Sequence, residues 1–253
     1  MLGLVYAWSA HIDEQDLLTG SYKSSREEGD VNLVLTCGNL IGNASSAVIR
    51  RSCFDKVGGY NCKLKQEYAQ GCEDWDLYLR IAYYYHFRVV PEILVGYRQV
   101  IGSMSCDFTQ MAKSYYLTME DNRKRNPHVP LLLYKWSRIN FYTYLARKSL
   151  NYGNYQSYLY WSYQSIRLDT TELLNKRIYQ NFFKSYLKII FQPITSLIWK
   201  DHISWLKFKK KIKSSIKGTQ PLKNIDEIRQ LALESNSLFS NVKKQDIFKK
   251  LVR

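Results

Sequence analysis

The chain has 253 residues, 45% of them hydrophobic and 15% aromatic, enough apolar side chain to bury a core and too much for wholesale disorder. Twelve Gly and five Pro exclude a collagen-like or low-complexity chain. The net charge of +15 is uneven: residues 1–107 carry −3 and residues 108–253 carry +18, a balance that points the second part toward an acidic surface, lipid or nucleic acid.

In chain order, LGLVYA at the start reads as a buried strand rather than a signal sequence. It lacks a basic leader, and its apolar run soon meets His11, Asp13 and Glu14. The polar stretch 11–30 reads as a loop, and VNLVLTC (31–37) and SSAVIRR (45–51) as strands. SCFDKVGGY is predicted as a short helix with Ser52 as its N-cap and Gly58-Gly59 as its stop. EDWDLYLRIAYYYH (73–86) is a stronger helix. Its first turn carries Glu73, Asp74 and Asp76, where the helix dipole favours anions, and Trp75, Leu79 and Ala82 form an apolar stripe. FRVVPEILVGYR (87–98) reads as two short strands hinged at Pro91. Residues 1–107 therefore look like part of an α/β domain, followed by an all-α C-terminal region.

From residue 108 the pattern is helical. One helix ends before Pro127, and residues 138–169 form two more, joined at Asn151-Tyr152-Gly153-Asn154. Their small and aromatic residues, Tyr144, Ala146, Leu150, Tyr155, Leu159 and Ser162, recur as in a tetratricopeptide-type hairpin. A single such unit must pack on something else to bury its face. Residues 108–176 are read as that helical region, 177–217 as a basic, aromatic-rich amphipathic segment, and 218–253 as a linker and closing helix with Ile225, Ile228, Leu231 and Leu238 on its apolar side. Trp199, Trp205 and flanking lysines make 177–217 a candidate for lying on an anionic membrane surface. No run of about 20 uncharged apolar residues is present, so no membrane-spanning helix is expected. The five Cys form no C-x-x-C pair and are odd in number, which reads as reduced thiols in a cytoplasmic setting. No nucleic-acid motif accompanies the basic charge, so no nucleic-acid partner is expected.

Residues 36–107 hold four motifs in order: GN followed by SSAVIRRSCFDKVGGY, then EDWDLYLRIA, VVPEILVGYR and GSMS. Together they closely resemble the acceptor-side half of family 2 glycosyltransferases, inverting enzymes of GT-A fold. The resemblance implies a partial GT-A-like, Rossmann-like domain over 1–107. The implied activity is transfer of a sugar from a nucleotide sugar to a glycan or lipid-linked acceptor, as in polysaccharide biosynthesis. It implies Asp74 as the base that takes the acceptor proton, with Glu73 beside it orienting the acceptor or holding a structural bond. Asn39, Ser45, Ser46 and Trp75 are the implied acceptor contacts, and Arg98, Ser103 and Ser105 the donor-diphosphate contacts. Each has a plainer reading. The acidic residues can cap a helix, Trp75 at helical spacing can be core, Arg98 can form a surface ion pair, and the small polar residues can make turns.

The sequence departs from the family in two places. The donor half, with its Asp-x-Asp motif for a divalent metal (Mg or Mn), is not seen, and Asp74-Trp75-Asp76 lies at a helix start and not in a strand-end loop. A His common after the YR dipeptide is replaced by Gln99-Val100. The expectation is a donor half missing from the N-terminal side, either absent or held on a separate chain, with no metal bound by this chain alone. The competing function is a non-catalytic helical binding module.

Overall fold

The computed structural model describes residues 1–100, 107–191 and 225–234. Its centre is a four-stranded mixed sheet. β1 (Leu2–Ile12) pairs along its whole length with the parallel strand β4 (His86–Arg98). Its other edge is shared by two antiparallel strands. β3 (Ala47–Ile49) sits opposite Leu4–Tyr6, and β2 (Leu18–Lys23) opposite Ser9–Ile12. The alternating side chains Leu4, Tyr6, Trp8 and Ala10 of β1 are buried, the period-2 pattern of a half-covered strand. Tyr6 and Trp8 also donate hydrogen bonds to the carbonyls of Glu27 (2.6 Å) and Ser25 (2.8 Å), which tie down the chain that follows β2.

Three expected strands and one expected loop turn out differently. The segment 31–37 is a helix, α1 (Asn32–Cys37). A continuous apolar run does not distinguish a buried strand from a buried helix, and tertiary partners decide it. The Trp75 indole donates to Leu35 O (2.8 Å) and the Asn140 amide to Cys37 O (3.2 Å), so carbonyls left open at the helix end are satisfied from two other helices. The polar stretch 11–30 contains β2, because Asp13 Oδ1 accepts from the N–H groups of Gln15 and Leu17 and closes a turn between the strands. Residues 86–98 are one strand and not two. Val90 pairs with Ala7 and Ile93 with Trp8, so Pro91 and Glu92 are taken up as a bulge, which spares the missing proline N–H.

The remaining elements follow the sequence more closely. α2 (Arg51–Val57) starts one residue before Ser52, which therefore does not cap it, and stops at Gly58 with φ of 77°. The Arg80 guanidinium then binds the carbonyls of Val57 (2.6 Å) and Gly59 (2.7 Å). A short helix, α3 (Cys62–Gln66), precedes α4 (Glu73–Ala82). α5 (Phe108–Arg125), α6 (Leu131–Asn151) and α7 (Tyr155–Leu168) come next, with Gly153 at φ 69° turning α6 into α7. The α6–α7 pair does pack on the α/β part: Phe141 of α6 stacks on Tyr115 of α5 (4.2 Å), and both lie against Trp75 of α4. One core cluster thus runs from Leu4 to Trp161. α8 (Lys176–Ile190) leans on α7 through Phe182 and Tyr158, and α9 (Ile225–Glu234) covers β2 with Ile228 and Ala232 buried. Cys37, Cys53, Cys62 and Cys72 are free thiols, the first two in the core as expected. Residues 192–224 and 235–253, which hold most of the expected basic segment and the C-terminal part of the closing helix, lie outside the described residues.

Candidate functional site

The three acids at the start of α4 have three different roles, set by where each side chain points. Asp76 is 1% exposed and held by two arginines, Arg80 Nε at 2.9 Å and Arg125 Nη2 at 3.2 Å. It fixes Arg80 against the end of α2 and joins α4 to α5. Glu73 accepts from the N–H of Gly71 (2.8 Å) and braces the turn before the helix. Gly71 sits there at φ 119°, with a Cβ placed on it falling 2.8 Å from Met111, so only glycine fits. Asp74 is half-buried and faces a polar, aromatic recess. Its carboxylate accepts from the N–H of Trp75 (2.7 Å) and is hydrogen-bonded by the side chain of Asn39.

The electrostatics of the recess follow from that geometry. Burial pushes the Asp74 carboxyl up from 3.8 to about 6; the hydrogen bonds from Trp75 and Asn39 hold it down in part, and neighbouring Glu73 adds to the rise. The phenols of Tyr60, Tyr78 and Tyr144 are raised, first by burial; the Asp74 charge adds to the rise for Tyr60 and Tyr78, and for Tyr144 after Tyr97, Cys72 and Tyr152. The Cys72 thiol is raised for the same two reasons. Asn39 is itself fixed, since its Oδ1 accepts from the N–H groups of Ile41 (3.1 Å) and Gly42 (2.9 Å). The short α1 delivers it to that place.

The other expected site residues are distributed as follows. Trp75 is 4% exposed, bonded to Leu35 and packed on Tyr115 and Phe141; it is core and offers no face to a sugar, which corrects its reading as an acceptor contact. Ser46 is buried and donates to Asn43 Oδ1 (3.0 Å), whose amide reaches Ser9 (3.1 Å), a bridge between loop and sheet; Ser45 is exposed. Arg98 pairs with Asp16 and donates to Asp13 O (3.1 Å), pinning the β1–β2 turn. Ser103 and Ser105 lie outside the described residues. Both Asp76 oxygens are taken by arginines, and among the described residues no three His, Cys, Asp or Glu side chains gather as ligands.

Several residues of the recess were not legible in the sequence. Where the family's His is replaced, the Gln99 amide meets His11 Nδ1 at 3.0 Å, and His11 packs edge-on to Tyr97. An imidazole from the neighbouring strand thus occupies that end of the sheet. Tyr60 and Tyr144 come from a turn and a distant helix. Only the aromatic richness of the chain hinted at them.

The fold is an α/β domain in which the parallel strands β1 and β4 run together as far as His11 and Tyr97 and their carboxyl ends. The chain belongs to the glycosyltransferase-like family 2, whose family model matches residues 3–183. The match includes the sheet, the recess and the helices as far as α8. No curated protein and no solved structure matches the chain.

Proposed function

We propose that the protein takes part in transfer of a sugar from a nucleotide-sugar donor to a glycan or lipid-linked acceptor with inversion, with Asp74 as the general base. The supporting observation is the Asp74 carboxyl itself, half-buried at the start of α4, lifted to about 6 by burial and held by Asn39. Such a carboxylate is ionised at neutral pH yet more basic than an exposed one, as proton abstraction requires. The acceptor oxygen bonds to the anomeric carbon as its proton passes to Asp74. The bond from that carbon to the donor diphosphate breaks on the opposite face, and the diphosphate leaves with the electron pair. The exposed rings of Tyr60 and Tyr144 can supply flat apolar walls for a sugar ring. The test is transfer from labelled nucleotide sugars to glycan and lipid-linked acceptors, with Mg or Mn supplied, by the wild-type protein and by Asp74→Asn. The variant is expected to lose transfer; equal turnover by the two would remove Asp74 from the chemistry.

The protein is further proposed to work at the cytoplasmic face of an anionic membrane, held there peripherally. Among the described residues no helix is long and apolar enough to cross a membrane. α8 instead turns Phe182 and Ser185 toward α7 and leaves Tyr179, Phe183, Tyr186 and Ile190 exposed on one stripe. Phe183 and Tyr186 also line an open apolar groove of about 550 Å³ with Leu159 and Tyr163. Arg177, Lys184 and Lys188 lie on another side of the same helix. An exposed aromatic stripe on a basic helix suits an anionic lipid interface.

A further inference from the structure

Helix α1 is too short to hold itself in place. It has six residues, and Val31 at its N-cap offers no capping side chain. Its last three residues are each bonded by a different neighbouring helix. The Trp75 indole of α4 donates to Leu35 O (2.8 Å), the Asn122 amide of α5 to Thr36 Oγ1 (3.2 Å), and the Asn140 amide of α6 to Cys37 O (3.2 Å). The chain then passes through Gly38 to Asn39. The Asn39 Oδ1 accepts from the N–H groups of Ile41 (3.1 Å) and Gly42 (2.9 Å), which turns its amide nitrogen toward Asp74 as the donor of the bond between them.

The three bonds to α1 differ in what else they serve. Trp75 and Asn122 are buried and built into the core. Trp75 packs on Tyr115 and Phe141, while Asn122 also donates to the Tyr134 hydroxyl (3.2 Å) and accepts from Asn126 (2.8 Å). Asn140 is half-buried, and among the described residues its side chain bonds no other group. Of the three groups held, Cys37 O is the one nearest in the chain to Asn39.

We infer that Asn140 is a positioning residue for Asp74: it fixes the end of α1, and through it the Asn39 amide that bonds the Asp74 carboxylate. This rests on the reading of Asp74 as the group that the site uses. Helix α6, from the helical part of the chain, thereby takes a share in shaping a site on α4. A donor held against a carboxylate favours the anion. Loss of the Asn140 bond frees the end of α1, weakens the contact from Asn39 and moves Asp74 ionisation to higher pH. The other titrating groups around Asp74 are Glu73 and Tyr78 of α4, Cys72 just before it, Tyr60 before α3 and Tyr144 of α6, and none of them bonds Asn140.

The experiment follows Asp74 in the full chain by carbon NMR of isotope-labelled aspartate carboxyls, with Asp74→Asn identifying its signal. Asn140→Leu is expected to raise the titration midpoint by about half a pH unit or more, the worth of one hydrogen bond to the anion. Asn140→Ala, which adds no bulk, gives the same reading if the Leu variant does not fold. In Asn39→Ala the midpoint should already be raised, and adding the Asn140 substitution should move it no further. Leu145→Val, a buried change on the same helix, should lower the urea midpoint and leave the Asp74 titration in place. The inference is overturned if the Asn140 variants titrate as wild type, if Leu145→Val moves Asp74 as far as they do, or if losing Asn140 still raises the midpoint in the Asn39→Ala background. Transfer that persists in Asp74→Asn while these titrations behave as expected would remove the base and leave the role of Asn140 in holding Asn39 standing.

Discussion

Replacing Asp74 by Asn is expected to make the protein more stable while it loses activity. A carboxyl whose pKa rises from 3.8 to about 6 in the fold resists ionisation there. At about 1.4 kcal/mol per pH unit, the anion costs the folded state about 3 kcal/mol at pH 7.5. Partial exposure of the side chain and a weakened bond to Asn39 reduce the expected gain in Asp74→Asn to about 1–2 kcal/mol. The sign follows from linkage. The folded pKa lies above the unfolded one, so the cost is absent below pH 4, grows between pH 4 and about 6, and is complete above that. Urea unfolding of both proteins at pH 7.5 and at pH 4 measures the difference, with effects of every other titrating group cancelling between variants. Asp74→Asn should exceed wild type at pH 7.5 and lose that advantage at pH 4. Transfer at pH 7.5 should fall by about two to four orders of magnitude. A variant less stable than wild type by the same amount at both pH values would refute the reasoning and leave Asp74 as an ordinary first-turn anion complementing the helix dipole.

The neighbouring acids and aromatics should behave differently. Asp76→Ala leaves Arg80 and Arg125 facing each other in a buried site and is expected to destabilise by about 3 kcal/mol or more, seen as a lower urea midpoint at unchanged slope. Trp75→Phe keeps ring packing on Tyr115 and Phe141 but orphans Leu35 O; it should cost about 1–3 kcal/mol of stability and leave the acceptor KM unchanged, as steady-state kinetics would show. Flotation with anionic vesicles at low salt should carry the wild-type chain upward, and Phe183→Ser with Tyr186→Ser should reduce it severalfold; a wild-type protein that stays at the bottom would rule out the membrane surface for α8.

Local patterns in the chain were sufficient for the presence of α4, α5, α6 and α7, because long amphipathic segments specify a helix wherever they pack, but not for every end: α4 stops at Ala82 rather than at 86, and α6 begins at Leu131 rather than at 138. The ordered motifs over residues 36–107 carried the resemblance to the family that the match over 3–183 shows. What the chain alone left open was decided by groups far away in sequence. The run Asn32–Cys37 is helical because Trp75 and Asn140 satisfy its terminal carbonyls, and Pro91 sits inside one strand because β1 accommodates a bulge. Three acids in one helical turn look alike in sequence. Two arginines, the Gly71 turn and Asn39 make one structural, one a brace and one basic, since a carboxyl's pKa depends on solvent and charges that only folding brings together.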